Sequence, residues 1–445
     1  MKPSYLLFFL VSQMVSSQTD SSLYGIIENI SAQRIESDVR TLANFETRNT
    51  FSDTVSNKRG IGAARRWIKS EFDLISKECN NCLNVFYQKD FVTKKDGDRI
   101  PKDAWIVNVA AVQKGTKNPN RYIIMTGDID SRNSDTMDFT NDAPGANDNA
   151  TGMAGAIEAA RVLSKYKFEN SIIYLGLSGE EQGLYGGKGF AEFAKKNNWE
   201  IIGVLNNDMI GNIEGVDGVI DNRTFRIFSE PTPVTETEKE RKARRSYGGE
   251  VDGNSRQLAR YILKQSLTYM PEMNPMMVYR LDRFGRGGHH RPFNDLGYAG
   301  VRIMEAHENY NRQHQNTRVE NGIKYGDVIE GVNFEYAKKL TAVNAIVLAA
   351  LAHSPCEPKN VLIGGIVEPN TKLKWEKPED DSIVGYKIYW RLTTSPQWEN
   401  SRFVGDVDAF QLNGIVIDNY YFGVASVSKN GHESMVVFPK DIIRE

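Results

Sequence analysis

The feature that most constrains this chain is a repeated order: a short apolar run, then at once an acidic stretch. Apolar runs at residues 122–125, 172–177 and 201–205 precede GDIDS (127–131), SGEEQGL (178–184) and NNDMIG (206–211). A fourth run, 301–304, precedes the loop carrying His314, and PGANDN (144–149) opens a helix-like segment. In open α/β sheets ligands gather at the carboxyl ends of strands, where loops from separate strands converge. Acidic groups placed there with a histidine read as a metal site.

Helical periodicity supports this layout. Met153, Ala156, Ile157, Ala160 and Leu163 share one face of a helix expected over 151–167, and similar patterns recur at 60–77, 187–197, 255–265 and 333–352. Strands alternating with such helices predict an α/β fold, a mixed, mainly parallel central sheet flanked by helices. The segment 213–250 breaks the pattern; with its charge concentrated at 236–245 it is expected to be an insertion or a solvated helix rather than a core element.

At 445 residues the chain exceeds one typical domain. Beyond residue 352 the texture changes: His353, Ser354, Pro355, Cys356, Glu357 and Pro358 read as a linker. Short alternating runs follow at 373–375, 384–390 and 420–428. Trp375, the later Tyr421 and a turn at Asn430 and Gly431 resemble a fibronectin type III sandwich, with an early-strand Trp filling the core and a late Tyr capping a corner. The expected division is a leader at 1–17, a catalytic domain at 18–353 and a small all-β sandwich at 354–445. The sandwich shows no convergent acidic or histidine set, so its expected role is to bind a surface, glycan or protein, or to act as a spacer.

A formal net charge of −2, with no basic stripe, gives no electrostatic case for nucleic acid. Lys2, the apolar run 5–11, and Val15 and Ser17 at minus three and minus one of a cleavage after Ser17 predict a signal peptide. The run is much shorter than the roughly 20 residues a membrane span needs. The mature protein is therefore expected to be secreted or periplasmic, with no membrane span. There are three cysteines. In an oxidising compartment Cys79 and Cys82 can close a small disulfide, which leaves Cys356 as a linker thiol.

Two divalent cations sharing a carboxylate can activate a water and polarise a carbonyl, as peptide hydrolysis requires. This chain can supply the ligands: Asp148 as a bridge, Glu181 and His314 for one metal, Asp208 and Asp128 for the other, and Glu180 as a free general base. Singly, each has a structural reading: Asp148 as a helix cap, Glu180 and Glu181 as acids at a helix start, Asp208 as a polar strand end. Their joint order and strand-end placement favour the metal site. His289 and His290 lie in the glycine-rich loop RFGRGGHHRPF, His290 as a candidate pocket residue. His307 and Tyr310 are candidates to line the pocket, Ser229 and Glu230 to meet a substrate amine, and His353 and His432 are expected at the surface.

The run APGANDNATGMAGAIEAARVL (143–163), with SGEEQGLYGG and LNNDMIG, closely resembles metallopeptidase family 28, the secreted bacterial leucyl-aminopeptidase-like enzymes. The resemblance covers roughly residues 28–352. It implies a two-zinc exopeptidase that removes N-terminal residues from peptides. Asp148 matches the bridging carboxylate, Glu180 the general base, Glu181 and His314 the ligands of one zinc, Asp208 a ligand of the other, and Asp130 a carboxylate that orients a ligand. One position departs: where the family shows histidine in G-H-x-D-S, this chain has Asp128. Either Asp128 still binds, favouring a harder metal such as manganese, or the second metal is weakened or lost. His289 departs too, standing where relatives often have aspartate, and is an alternative ligand in partial replacement of the missing one. Rival readings are a carboxypeptidase or dipeptidase using Arg283, Arg286 and Arg291, a single-zinc glutaminyl cyclase-like enzyme, and a binding protein that has lost catalysis.

Overall fold

The computed structural model describes residues 20–444, so the leader expected at residues 1–17 lies outside the described residues. An eight-stranded sheet forms the larger part. Its strands are β1 (Leu83–Val92), β2 (Ala104–Gln113), β3 (Asn118–Asp128), β4 (Asn170–Leu177), β5 (Glu200–Asn207), β6 (Thr224–Ser229), β7 (Asn274–Val278) and β8 (Gly300–Glu305). Their order is β1-β2-β4-β3-β5-β8-β6-β7. The central four, β4-β3-β5-β8, run parallel; β2 runs antiparallel to β1 and β4, and β6 antiparallel to β8 but parallel to the edge strand β7. The mixed, mainly parallel sheet read from the sequence is thus the observed one.

The helices are α1 (Ser21–Asn29), α2 (Ala32–Ala43), α3 (Gly60–Glu78), α4 (Gly152–Leu163), α5 (Tyr185–Lys196), α6 (Glu238–Tyr247), α7 (Asn254–Tyr269), α8 (Arg291–Asp295) and α9 (Phe334–Ala352). Strand alternation distributes them over two faces. Ile123 and Met125 of β3, with Ile172 and Tyr174 of β4, point into one core with residues of α2, α4, α7 and α9. Their neighbours Tyr122, Ile124, Ile173 and Leu175 point the other way, against Phe190, Ala191 and Ala194 of α5 and Phe293 of α8. From Leu340 to Ala352, α9 is buried all round, the expected place for a helix apolar on every side. Asn333 caps its start, accepting the Tyr336 N–H at 2.8 Å.

Register brings the strand ends level. Asp128 of β3 pairs with Leu177 of β4, and Gly127 with Asn207 of β5, so the loops after three strands leave the sheet at one edge. The chain moves from β3 outward to β4 and then to β5 on the opposite side of β3, which makes this edge a topological switch point. Helix α4 starts very close to it: a Cβ on Gly152 would lie 2.3 Å from the Asn207 carbonyl oxygen.

One expectation is corrected. Within 213–250 only α6 is the solvated helix foreseen, with no buried residue, whereas β6 is a core strand paired to both β7 and β8. Its apolar residues, Phe225, Ile227 and Phe228, are few and flanked by charge, and both partners lie far along the chain. Local pattern could not reveal them.

A short hairpin, β9 (Arg318–Glu320) and β10 (Ile323–Tyr325), precedes α9. The C-terminal strands are β11 (Lys359–Gly364), β12 (Thr371–Glu376), β13 (Ile383–Leu392), β14 (Asn400–Gly405), β15 (Ala409–Leu412), β16 (Tyr420–Ser428) and β17 (Asp441–Ile442). They form sheets β15-β12-β11-β17 and β14-β13-β16, whose inner faces share one core. Trp375 sits in that core, 5.2 Å from the Tyr386 ring, while Tyr421 lies under the Arg391 guanidinium at 4.7 Å. Cys79 and Cys82 are disulfide-bonded and Cys356 is free. Among the described residues no helix is long and apolar enough to cross a membrane.

Buried charge joins the sandwich to the larger domain. Arg391 Nη2 donates to both Glu250 oxygens at 2.9 Å, and Arg260 and Arg256 close on Asp252. His353 and His432, expected at the surface, instead stack at 4.8 Å across this junction, with His353 Nδ1 2.5 Å from Glu169. Burial raises the Asp252 carboxyl, but Arg260 and Arg256 outweigh it and leave the group below the ordinary carboxylate range. Its contribution is therefore present above about pH 4 and lost as pH falls through the folded value. Arg391→Ala leaves Glu250 buried without a cationic partner and is expected to cost about 3–5 kcal/mol, read as a lower denaturation midpoint.

Candidate metal centre

The loop after β3 and the turn before α4 are anchored by one buried cation. The Arg48 guanidinium donates to the carbonyls of Leu42 (3.0 Å), Ile129 (2.9 Å), Gly145 (2.9 Å) and Pro144. The turn that follows hangs on Asp327, which accepts the N–H groups of Asn147 and Asp148 at 2.8 and 2.6 Å. Asp148 is thereby aimed into the cleft. Its Oδ2 lies 2.9 Å from His314 Nε2 and accepts from Gln313 Nε2 at 3.2 Å.

Glu181 comes from the loop after β4. Its Oε1 is 3.2 Å from His314 Nε2, and its Oε2 is ion-paired with Arg132 Nε at 3.1 Å. Asp148, Glu181 and His314 each offer one donor atom, all within 4.8 Å of one another. Two carboxylates and an imidazole are a set that zinc accepts. Behind them Asp130 accepts the backbone N–H groups of Glu180 and Glu181 at 3.3 and 3.2 Å and the Thr50 hydroxyl at 3.1 Å. It orients the whole loop.

The other two sequence candidates turn to different partners. Asp128, 2% exposed, has Oδ1 2.5 Å from His289 Nδ1, and its Oδ2 accepts from Asn149 Nδ2 at 2.8 Å. Asp208 has Oδ2 2.8 Å from Arg302 Nη2. Among the described residues only the trio of Asp148, Glu181 and His314 forms a cluster of this kind. His289 is fully buried beside Asp128, and its Nε2 has no protein partner. His290 Nε2 faces the Leu281 carbonyl at 2.8 Å. Tyr310 is exposed, and Ser229 and Glu230 pack against α7 through Arg256 and Ser255 rather than lining the cleft.

Electrostatics follow from crowding. Burial, then neighbouring acids, push Asp130 up to about 7, and Glu180 well above its usual range. Asp128 is pushed up to about 8 by burial, although Asn149 acts against it. Asp208 goes up to about 7 through burial, with Arg302 opposing. Asp148 is the exception: burial raises it, but His314 beside it outweighs burial and holds it well below the usual carboxylate range. His314 rises to about 9, because Glu181 and Asp148 prevail over its burial. Both carboxylates face His314 Nε2, so the proton they favour is the one there, while Arg132 Nη2, a donor 2.7 Å from Nδ1, opposes a proton on that nitrogen. An excess of buried negative charge is what a divalent cation relieves.

Sequence reading missed Arg48, Asp327, Arg132 and Arg302. Each is an isolated polar residue whose role arises from groups distant in the chain, so no local signal marks it.

With this geometry in view, the comparisons with known proteins are specific. Residues 108–326 match the model of peptidase family M28. A probable zinc metalloprotease of Pyrenophora tritici-repentis is 38% identical over 94% of this chain and 98% of its own length. One from Leptosphaeria maculans is 39% identical over 96% and 98%. The chain belongs to peptidase family M28. Its fold is also that of the Legionella pneumophila aminopeptidase LapA (TM-score 0.55, 17% identity, 76% of each chain) and of a glutaminyl cyclase from Macrostomum lignano (TM-score 0.51, 14% identity, 78% of this chain and 95% of that one).

A cation at the trio must displace the proton on His314 Nε2. Chelated, metal-free protein is therefore expected to release protons on taking up zinc at pH 7, with affinity rising as pH is raised toward 9. Calorimetry in buffers of different ionisation enthalpy reads this directly; pH-independent uptake would contradict the site.

Proposed function

We propose that this protein is an exported zinc-dependent exopeptidase that removes N-terminal residues from peptides, with zinc held by Asp148, Glu181 and His314. The convergence of those three donors beside Glu180 carries the reading. When bound there, zinc polarises a peptide carbonyl and lowers the pKa of a water.

The remaining work falls to the chain itself. Glu180 lines the cleft next to the ligand Glu181, and its carboxyl is shifted toward holding a proton. It can take a proton from the attacking water and deliver it to the leaving amine. Asp130 positions Glu180 and Glu181 together by accepting both N–H groups. Arg132 holds the second Glu181 oxygen, which leaves Oε1 for the metal. Burial of the loops excludes bulk water and strengthens each of these contacts.

The engagement of Asp208 by Arg302 and of Asp128 by His289 and Asn149 supports one tightly held zinc per chain rather than two. That same feature favours a second reading, cyclisation of N-terminal glutamine, which needs one metal. Export rests on the leader-like residues 1–17. The C-terminal sandwich, fibronectin type III-like in its core Trp375, serves as a binding module or spacer.

Metal content and hydrolysis of aminoacyl-anilides, with and without chelator, test the proposal together. Glu180→Gln is expected to lower kcat by about 10²–10⁴-fold at unchanged zinc content, whereas His314→Ala is expected to lose zinc. Cyclisation of a glutaminyl peptide without anilide hydrolysis would select the second reading.

A further inference from the structure

The cleft above the metal centre has a volume of about 560 Å³, and its wall is basic. Arg99, Arg132, Lys188, Arg283, Arg286 and Arg291 line it; apart from the metal-site carboxylates, Asp295 is the one acid that does. Half of these cations have a carboxylate partner. Arg132 pairs with Glu181, Arg283 with Asp282 and Glu308 at 3.4 and 3.0 Å, and Arg286 with the same Glu308 at 3.1 Å, which also takes Arg226.

The other half have no carboxylate partner among the described residues. Arg99 donates to the Glu181 carbonyl at 3.1 Å, and the Lys188 ammonium lies over the Tyr185 ring at 4.9 Å. Arg291 has a single long hydrogen bond, to the Arg286 carbonyl at 3.4 Å, and its Nε is buried with no partner. Arg291 is half-buried, so part of its guanidinium reaches the cleft while its Nε is withdrawn from water without an acceptor, and a carboxylate is the acceptor its planar fork matches. The wall is poorly suited to a second positive charge near the scissile bond, because like charges at close range repel.

We infer that this cleft selects peptides carrying a carboxylate close to the scissile bond, with Arg291 as its main contact and Arg99 and Lys188 adding to the field. The carboxylate has two possible sources: an acidic side chain on the residue after the cleaved bond, or the free C-terminus of a dipeptide. That the carboxylate belongs to a peptide, and the assay chosen, rest on the exopeptidase reading above; the charge pattern does not.

The test compares kcat/KM for Leu-Ala-amide, Leu-Glu-amide, Leu-Lys-amide and the free dipeptide Leu-Ala. A carboxylate substrate is expected to exceed Leu-Ala-amide by about tenfold or more, the loss that one charge-assisted hydrogen bond carries. An advantage for Leu-Glu-amide identifies the side chain as the source, and one for free Leu-Ala the C-terminus. Arg291→Gln is expected to collapse the ratio between carboxylate and neutral peptides, and Arg291→Glu to turn it toward Leu-Lys-amide; a purely structural arginine would lower all rates together. Equal rates on all four peptides, or an unchanged ratio in Arg291→Gln, would overturn the inference. If no peptide is cleaved, the exopeptidase reading fails. Calorimetric binding of the same peptides to Glu180→Gln protein still decides the selectivity, with equal affinities counting against it.

Discussion

Buried negative charge at the ends of the parallel strands is the constraint on which the rest of the structure depends. Asp128, Asp130, Asp148, Glu181 and Asp208 are all largely withdrawn from water within a few loops. Such a cluster persists only if cations and hydrogen-bond donors are brought to it. Arg302 answers Asp208, Arg132 answers Glu181, His314 sits between Asp148 and Glu181, and backbone N–H groups answer Asp130. The trio that suits zinc is where two of these carboxylates and His314 converge.

Rigidity behind the trio comes from packing. The register of β3 with β4 and β5 sets the loop origins level, and the close approach of α4 to β5 at Gly152 leaves no room for a side chain. Arg48 and Asp327 then tie the turn before α4 to loops from elsewhere in the chain. A metal site needs its donors held by such secondary contacts, because a ligand free to rotate loses affinity. The wall of the cleft uses charge differently: Arg291 lines it and has no carboxylate partner among the described residues.

The pairing of Asp128 with His289 joins two positions that each depart from the family's usual residues. Seen only in the sequence, Asp128 was a ligand candidate and His289 an alternative. In the structure the two are in contact at 2.5 Å, and both Asp128 oxygens are engaged within the protein. Two departures along the chain form one contact in space.

What the sequence determined by itself was the part of the fold governed by local periodicity and order. The central strands, the helices α3, α4, α5, α7 and α9, the strand-end placement of Glu180 and Glu181, the place of Asp148 just before a helix and that of His314 in the loop after β8 were legible because apolar period and adjacent acids are short-range signals. Strand β6 was not, since its few apolar residues gain meaning only between β7 and β8. The stacking of His353 on His432 across the two domains was hidden for the same reason. Tertiary structure alone decided which acids meet, which are claimed by Arg302 or His289, and which arginines remain unpaired. Each of those outcomes is a balance of distance and burial between groups tens to hundreds of residues apart, and local sequence carries no record of either.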